Sequence, residues 1–392
     1  MTQATPSSVP PAPGGPSSAR YQGEVVYLYA FDVAYELNSE EVPQVLGQGG
    51  TQFSVTVSRR EPRAPFFYRP QVFPLPPLRH RGPHGEVLLQ GTVKLFRVGA
   101  ISIAVHVPFE VDRIEDLVKY HDLSLSTGPL HDEVRATAER ILEELRPYCI
   151  RPVKALREDE AYTVFCIRSP LPGDSADAET WLHAHRREAA ALLTQEEDIA
   201  RLSRQEALES TGLYLSYYEH DLSVIDWDAA VLVDEAPNFE ELLHVMELAN
   251  VQLVELGVFD QILDEAVDRA YRDIRKVPWK RQDESRRPWA SQRDVRRDLR
   301  EIRIDLDRLH DELFNTTKFF GDWHLARLYQ NLSSRFHLAQ WSHTIEGKLK
   351  TLDEFYQILK ADLNNRLMVI LEALIVLLFI IDLWVIIAGY GK

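Results

Sequence analysis

The chain has 392 residues, with 44 Lys or Arg against 60 Asp or Glu, and a formal net charge of −16 at pH 7. This acidic balance argues against nucleic-acid binding by the chain as a whole. The two cysteines, Cys149 and Cys166, are too few for a disulfide framework, lack metal-ligand spacing and fit a reducing compartment.

The first segment is rich in Pro, Ser and Gly and predicts a disordered tail over residues 1–22. Its sequence, MTQATPSSVPPAPGGPSSA at 1–19, has neither the apolar core of a signal peptide nor the arginines of a transit peptide. We therefore expect the bulk of the chain to stay on the cytoplasmic side of any membrane it meets.

Residues 23–236 predict an α+β cytosolic domain. Runs rich in β-branched and aromatic residues predict these strands: Val25–Val33, Gln52–Ser58, Val87–Phe96, Ala100–Val107, Tyr162–Ile167, Leu213–Tyr218 and Val224–Val233. Helical spacing predicts these helices: His131–Leu145, Ala176–Leu193 and Glu196–Leu208. The order of strands, helices and strands favours a mainly antiparallel sheet.

Two short features inside this domain read as connections. Pro62–Pro83 contains seven prolines, which favours a surface excursion over 62–85 and not a strand. Phe96-Arg97-Val98-Gly99 predicts a tight turn between two strands, not a site.

A long helix is predicted over 237–278, followed by a basic Trp/Pro linker over 279–292. The stretch Arg269–Arg303 contains 13 Lys or Arg against six acids. Its candidate basic patch is Arg286, Arg287, Arg296 and Arg297. Such a patch suits anionic lipid headgroups or the RNA of a ribosome, and the alternative is a solvated linker.

Residues 293–366 predict a helical hairpin or coiled-coil stalk. Two apolar series step by 4 and 3 residues in alternation, the first from Val295 to Leu313. The second forms the candidate stalk seam and comprises Ile345, Leu349, Leu352, Tyr356, Leu359 and Leu363. The pattern leaves open whether the stalk pairs within one chain or between chains.

Residues 367–388 predict one transmembrane helix, because 16 of these 22 residues are Leu, Ile, Val or Phe and 22 residues span a bilayer core of about 30 Å. The segment carries two acids, Glu372 and Asp382. An acid at the helix centre costs up to about 2.5 to 3.5 kcal/mol on insertion, so we expect the two to be protonated or to face a partner helix or a wet cavity. The alternative is that local bilayer thinning and snorkelling absorb this cost. Ten residues apart, they point about 80° from each other, so one broad face can hold both.

The sequence lacks HExxH, CxxC, GxSxG and phosphate-loop motifs. We therefore predict no enzyme activity, no catalytic, cofactor-binding or metal site, no cofactor and no small-molecule substrate.

Several elements together resemble the required-for-meiotic-nuclear-division family of membrane proteins, a widespread and poorly characterised group with bacterial, fungal and mitochondrial members. The matching elements are Phe96-Arg97-Val98-Gly99, Leu248-Ala249-Asn250 through Phe259-Asp260, Trp323, Leu328-Tyr329, Lys348-Leu349, Leu363-Asn364-Asn365-Arg366, Leu371-Glu372 and Asp382. Ala373 departs from the pattern, which has an aromatic residue there. The resemblance implies a membrane-tethered protein that forms oligomers, and it implies no catalytic activity.

These features lead to a function hypothesis: a tail-anchored, self-associating scaffold or adaptor whose intramembrane acids pack at the oligomer axis. We expect a single-pass protein of the membrane, the bacterial inner membrane in particular, that forms a homo-oligomer. The alternative is an oligomeric ion-conducting or transport assembly that uses Glu372 and Asp382.

Overall fold

The computed structural model describes residues 20–53, 70–82, 85–125, 128–157, 159–172, 177–235, 239–275, 304 and 323–389. The chain divides into two compact units. The first unit comprises Met1–Glu255 and Thr316–His337, and the second comprises Leu256–Asn315 and Leu338–Lys392.

The first unit is built around one large sheet. In the described residues the strands are β1 (Tyr21–Asp32), β2 (Ala34–Leu37), β3 (Gln44–Val45), β4 (Gln48–Gly49), β5 (Thr51–Gln52), β6 (Gln71–Gly82), β7 (Gly85–Leu95), β8 (Ala100–Val111), β9 (Cys149–Pro152), β10 (Glu160–Arg168), β11 (Tyr214–Leu215), β12 (Leu222–Ile225) and β13 (Ala229–Asp234). Nine of them form the main sheet in the order β11-β12-β13-β10-β1-β8-β7-β6-β5. The β10–β13 pair is parallel and the other pairs of this sheet are antiparallel.

The helices are α1 (Leu130–Leu145), α2 (Ala178–Ala184), α3 (Arg186–Leu193), α4 (Arg204–Ser210), α5 (Phe239–Arg275), α6 (Trp323–Arg335) and α7 (Leu338–Gly389), again within the described residues. The mixed α+β class with a largely antiparallel sheet is thus confirmed. The helices of the C-terminal part are present, but a coiled coil is not established.

Alternation along the strands gives the main sheet two different faces. On β1, Val25, Tyr27 and Tyr29 point to one side and join a single hydrophobic core with α1, α2 and α3. Val26 and Leu28 are also buried, but on the opposite side. A sheet buried on both faces explains why β1 reads as a nearly continuous apolar run.

The opposite face is covered by α6 and by the part of α5 that belongs to the first unit. Asn250 of α5 donates from Nδ2 to the Glu160 carbonyl at 3.0 Å. The Phe336 ring, directly after α6, lies 5.4 Å from the Tyr162 ring, centroid to centroid. Arg335 Nε donates to Asp226 Oδ1 at 2.7 Å, so an ion pair also holds α6 to the sheet.

Four of the predicted elements are wrong. Ala176–Leu193 is not one helix but α2 and α3, and Glu196–Leu208 contains a 3₁₀ turn at Ile199–Arg201 before α4 begins at Arg204. The prediction that Pro62–Pro83 forms no strand fails over Gln71–Gly82, where β6 pairs with β7 and with β5. The register between β6 and β7 shifts between Leu75 and Leu78, around two of the prolines, because proline lacks the N–H that a regular ladder requires. Val224–Val233 is not one strand but the hairpin of β12 and β13.

The predicted turn at Phe96-Arg97-Val98-Gly99 is confirmed between β7 and β8. Gly99 N donates to the Phe96 carbonyl at 3.1 Å, and Phe96 N donates to the Ala100 carbonyl at 2.9 Å. Gly99 has φ of +99°, and a Cβ there would lie 1.7 Å from the Ala34 carbonyl oxygen. Only glycine fits this position without a backbone shift.

One helix in the described residues is long and apolar enough to cross a membrane. It is the Phe239–Arg269 portion of α5, with 31 residues and a mean hydropathy of 1.4, and 78% of its most apolar window is buried. A core helix of a soluble protein passes the same test. The described part of the predicted span 367–388 includes a shorter apolar run, Met368–Ile381.

Candidate functional site

Helix α7 contains the acid-bearing segment that the sequence singles out. It runs unbroken from Leu338 to Gly389, 52 residues, so the predicted stalk enters the apolar segment without a turn. Helical propensity supports this continuity, because the segment joining the two is free of Pro and of Gly. The two acids are therefore fixed relative to the residues that precede them.

The apolar segment of α7 is bare on every side. Every described large apolar side chain from Met368 to Trp384 is between 47% and 72% exposed. Leu374 to Ile381 are exposed without interruption, which covers more than two helical turns and hence all faces of the helix. Within the described residues, this segment has no intramolecular packing partner.

Glu372 lies on this bare segment and is itself exposed. Asp382 lies on the same helix ten positions later, but its side chain is outside the described part of the chain. The helical rise separates the two positions by about 15 Å along the axis. A partner helix that contacts one broad face of α7 can therefore meet both acids at different depths.

The first half of the stalk seam is packed inside the chain. Ile345, Leu349 and Leu352 are buried. The side chains of Tyr356, Leu359 and Leu363 lie outside the described residues, so the second half of the seam stays a prediction.

Within the second unit, α5 and α7 lie side by side and run in the same direction. Lys348 Nζ lies 2.6 Å from Oδ1 of Asp260 and 2.6 Å from Oδ1 of Asp264. The rings of Tyr271 and Phe355 are 4.8 Å apart, centroid to centroid. The Asp264–Lys348 and Tyr271–Phe355 contacts join residues with the same offset of 84 positions, which only a parallel pair produces.

The ion pairs of Lys348 have a physical consequence for its charge. Burial alone lowers the pKa of this ammonium group, but the hydrogen bonds to Asp260 and Asp264 outweigh it, so the pKa of Lys348 lies above its ordinary value. The charged form that bridges the two helices is the stable one at neutral pH.

The candidate basic patch, Arg286, Arg287, Arg296 and Arg297, lies outside the described residues. Helix α5 ends at Arg275, and the basic sequence continues directly from there.

A buried polar cluster that the sequence did not reveal joins α5 to the sheet in the first unit. Lys94 of β7 forms an ion pair with Glu247 of α5, and both side chains are almost completely buried. Ser102 Oγ of β8 donates to Glu247 Oε1 at 3.2 Å. His244 Nδ1 lies 3.9 Å from Glu247 Oε2, and the Phe53 ring packs against His244 with centroids 4.4 Å apart.

The electrostatics of this cluster keep Glu247 ionised. Burial opposes the negative charge, but Lys94 and the neighbouring His244 ring outweigh it, and the pKa of Glu247 is lowered. The Lys94 ammonium also lies 4.5 Å from the centre of the Phe53 ring. With both charges satisfied, the cluster pins one turn of α5 to the centre of the sheet.

The sequence contains a weak signal for this cluster, namely charged residues within otherwise apolar segments. Lys94 interrupts the apolar strand predicted over Val87–Phe96, and Glu247 stands between buried Met246 and Leu248. Sequence alone does not pair Glu247 with Lys94, because the two residues lie 153 positions apart and no local pattern connects them.

The arrangement of acidic, histidine and cysteine side chains in the described part of the chain bears on metal binding and on nucleophilic chemistry. No group of three or more His, Cys, Asp or Glu residues there is arranged to hold a metal ion. Burial raises the pKa of the Cys149 thiol to about 11 and raises the pKa of the Cys166 thiol well above its ordinary value. Neither thiol is thus activated as a nucleophile.

Comparison with known proteins gives one family. The model of the family described as "Uncharacterized protein MJ0711, N-terminal domain" matches residues 22–240, more than half of the chain. The uncharacterised protein MJ0711 of Methanocaldococcus jannaschii is 24% identical over 246 residues, which cover 62% of this chain and 71% of that protein. No solved structure matches.

These matches bear on the resemblance drawn from the sequence. They agree with an uncharacterised family, but they do not support the required-for-meiotic-nuclear-division family. The matched region is the sheet domain, whereas the residues that carried that resemblance most strongly lie after Trp323. The chain belongs to the family defined by the N-terminal domain of protein MJ0711.

Proposed function

We propose that this protein is a membrane-anchored, self-associating scaffold, with residues 367–388 across the bilayer and the α+β domain on the cytoplasmic side. The observation that carries the proposal is the bare apolar segment of α7 between Met368 and Trp384. A continuous apolar surface on all faces of a helix is far larger than the patches that soluble monomers expose. Such a surface is stable in the hydrocarbon core of a lipid bilayer.

The other apolar helix is less suited to the bilayer. Within Phe239–Arg269, Glu247 pairs with Lys94 and Asn250 bonds to the Glu160 carbonyl, both on the sheet. An open sheet cannot accompany a helix into hydrocarbon, because its edge would leave backbone groups without hydrogen bonds. We therefore infer that α5 is a core helix and that α7 contains the membrane span.

Self-association is proposed from the acids. Glu372 is exposed on the apolar segment of α7, which has no packing partner in the described part of the chain, and a carboxyl group facing lipid is costly. A second copy of α7 can supply an apolar surface and a hydrogen-bonding acid at the same depth. We place Glu372 and Asp382 between neighbouring copies.

The parallel packing of α5 and α7 gives the distance between Arg275 and the start of the apolar segment. The offset of 84 positions makes Arg275 level with Leu359, about 12 Å along the helix from Leu367 at the start of the apolar segment. This is close to one Debye length from the headgroups. The segment that follows Arg275 is then positioned for anionic headgroups, with a ribosome as the alternative partner.

Alkaline carbonate extraction of membranes that contain the full chain tests the anchor. We expect the protein to remain in the membrane pellet, and we expect I375K/L378K to release it. Two lysines near the helix centre cost about 5 to 7 kcal/mol, comparable to the roughly 7 kcal/mol that sixteen strongly apolar residues contribute.

The matched control is I150K/L208K, which makes the same change at two exposed apolar residues of the first unit. We expect this variant to stay in the pellet. Extraction of the unmodified chain by carbonate, or equal behaviour of the two double variants, contradicts the proposal.

A further inference from the structure

The first unit carries an exposed aromatic patch that the membrane proposal does not use. We define it as Tyr217, Tyr218 and Trp323. The Tyr217 ring lies 4.6 Å from the Tyr218 ring at 87° and 5.6 Å from the Trp323 ring at 69°. The exposed fractions are 47%, 71% and 52%.

The patch is held rigid by its neighbours. Asp221 accepts hydrogen bonds from the Tyr217 and Tyr218 backbone N–H groups at 2.6 and 3.1 Å, which fixes the turn that carries both tyrosines. The Arg327 guanidinium lies 4.0 Å from the centre of the Trp323 ring and fixes its other side. Because neighbouring rings of the patch stand at steep angles to each other, their faces and edges form a grooved surface onto which a ligand can pack.

We propose that the occupant of the aromatic patch is the Pro-rich tail of this same chain, through Val9-Pro10-Pro11-Ala12-Pro13. Residues 1–19 contain five prolines and no charged side chain. Proline-rich segments favour the polyproline II conformation and dock onto aromatic-lined grooves, because little conformational entropy remains to be lost.

The start of β1 lies close enough to the patch for this contact. Trp181 Nε1 of α2 donates to the Tyr21 hydroxyl at 3.1 Å, and Ala178 N at the start of the same helix donates to the Glu219 carbonyl at 2.9 Å. Glu219 adjoins Tyr218. Following these bonds along α2 gives about 30 Å at most from Tyr21 to the patch.

The length of the tail matches this distance. Pro13 and Pro10 precede Tyr21 by eight and eleven residues, which in polyproline II reach about 25 and 34 Å. Tethering gives an effective concentration of about millimolar, so even a weak site is occupied within the chain. The uncharged tail also brings no carboxylate toward Asp221.

Photo-cross-linking in the full chain tests the proposal. A benzophenone amino acid replaces Ala12, and the cross-linked peptides are identified by mass spectrometry. We expect cross-links at monomer mass to peptides that contain Tyr217 and Tyr218 or Trp323. Replacing Pro10, Pro11 and Pro13 by Ala is expected to reduce their yield at least fivefold.

Y218A is the second variant. Because the Tyr218 side chain is exposed, we expect its removal to leave the fold intact, so that a lost cross-link reports a lost contact. Its matched control is W227A, which removes another exposed aromatic residue of the same unit. We expect a fivefold loss for Y218A and no loss for W227A. Cross-links elsewhere in the chain, to a second chain or to lipid, or equal yields in all variants, overturn the proposal.

Discussion

Lys94 of β7 and Glu247 of α5 form a buried ion pair that ties the long helix to the sheet of the first unit. Opposite charges taken out of water stabilise a fold only while both are present, because either one alone remains buried without compensation. The Ser102 hydroxyl and the His244 ring complete the surroundings of the Glu247 carboxylate.

The first prediction concerns this pair. K94M is expected to lower the free energy of unfolding by about 3 to 5 kcal/mol, because it leaves the Glu247 charge buried. K94M/E247L is expected to recover most of that loss. Urea denaturation of the full chain in detergent, followed by tryptophan fluorescence, measures both effects.

The control is K119M, which breaks the exposed ion pair of Lys119 with Asp116. We expect a change of at most about 1 kcal/mol there. A K94M variant as stable as K119M would show that the buried pair does not hold α5.

The second prediction concerns Asp32, whose pKa burial raises to about 7, although Arg157 and the Ala34 N–H act in the opposite direction. The folded state therefore holds a proton that the unfolded state releases near pH 4, and stability falls as the pH rises from about 4 to about 7. D32N is expected to remove this dependence, which amounts to about 4 kcal/mol at most.

Thermal denaturation at pH 5 and pH 8 checks this prediction. We expect D32N to lose less stability than the unmodified chain between the two values. Glu247 has the opposite sign, because its lowered pKa makes its stabilisation present above about pH 4 and lost at lower pH. An equal loss in both proteins between pH 5 and pH 8 rules out titration of Asp32 in this range.

The third prediction concerns the direction of α5 and α7 in the second unit. With Cys149 and Cys166 replaced, Y271C/F355C is expected to form an intramolecular cross-link with a short bis-maleimide. The matched control is Y271C/Q357C, because position 357 lies about 200° around α7 from position 355. Denaturing electrophoresis separates cross-links within a chain from those between chains, and equal yields for the two pairs would contradict the parallel packing.

The fourth prediction concerns the basic segment. In nanodiscs, energy transfer from tryptophan to dansyl-labelled lipid is expected to be stronger with anionic than with neutral lipid, because Trp279 and Trp289 lie within that segment. Replacing Arg286, Arg287, Arg296 and Arg297 by Gln is expected to remove the difference.

The control changes four arginines of the sheet domain to Gln, namely Arg140, Arg187, Arg201 and Arg204, and is expected to keep the difference. If the partner is a ribosome, we expect instead that the lipid charge has no effect. The variant of Arg286, Arg287, Arg296 and Arg297 would then lose salt-sensitive co-sedimentation with ribosomes.

The fold was largely predictable from the sequence where periodicity is local. Val25–Val33 and Ala100–Val107 are strands as predicted, since β-branched and aromatic residues are frequent there. The prolines of Pro62–Pro83 predict no strand, whereas the structure accommodates those of β6 through an irregular register with β7.

The site was only partly predictable. The apolar segment with Glu372 is visible in composition alone, and α7 continues into it as predicted. The packing partners of Ile345 and Glu247 could not be predicted from the sequence. A heptad pattern or a single buried acid indicates which face of a helix is buried, but it does not identify the element that packs against that face. Parallel packing of α5 with α7 and the Lys94–Glu247 pair both depend on contacts between distant parts of the chain.

The central claim is that residues 367–388 lie in the bilayer with Glu372 and Asp382 between neighbouring copies. Light scattering of the detergent-solubilised protein, corrected for bound detergent, tests it most directly. We predict several copies for the full chain, fewer for E372L/D382L, and a monomer for a version ending at Asn364. A full-length protein that is monomeric, with a mass per particle that E372L/D382L leaves unchanged, would contradict the account.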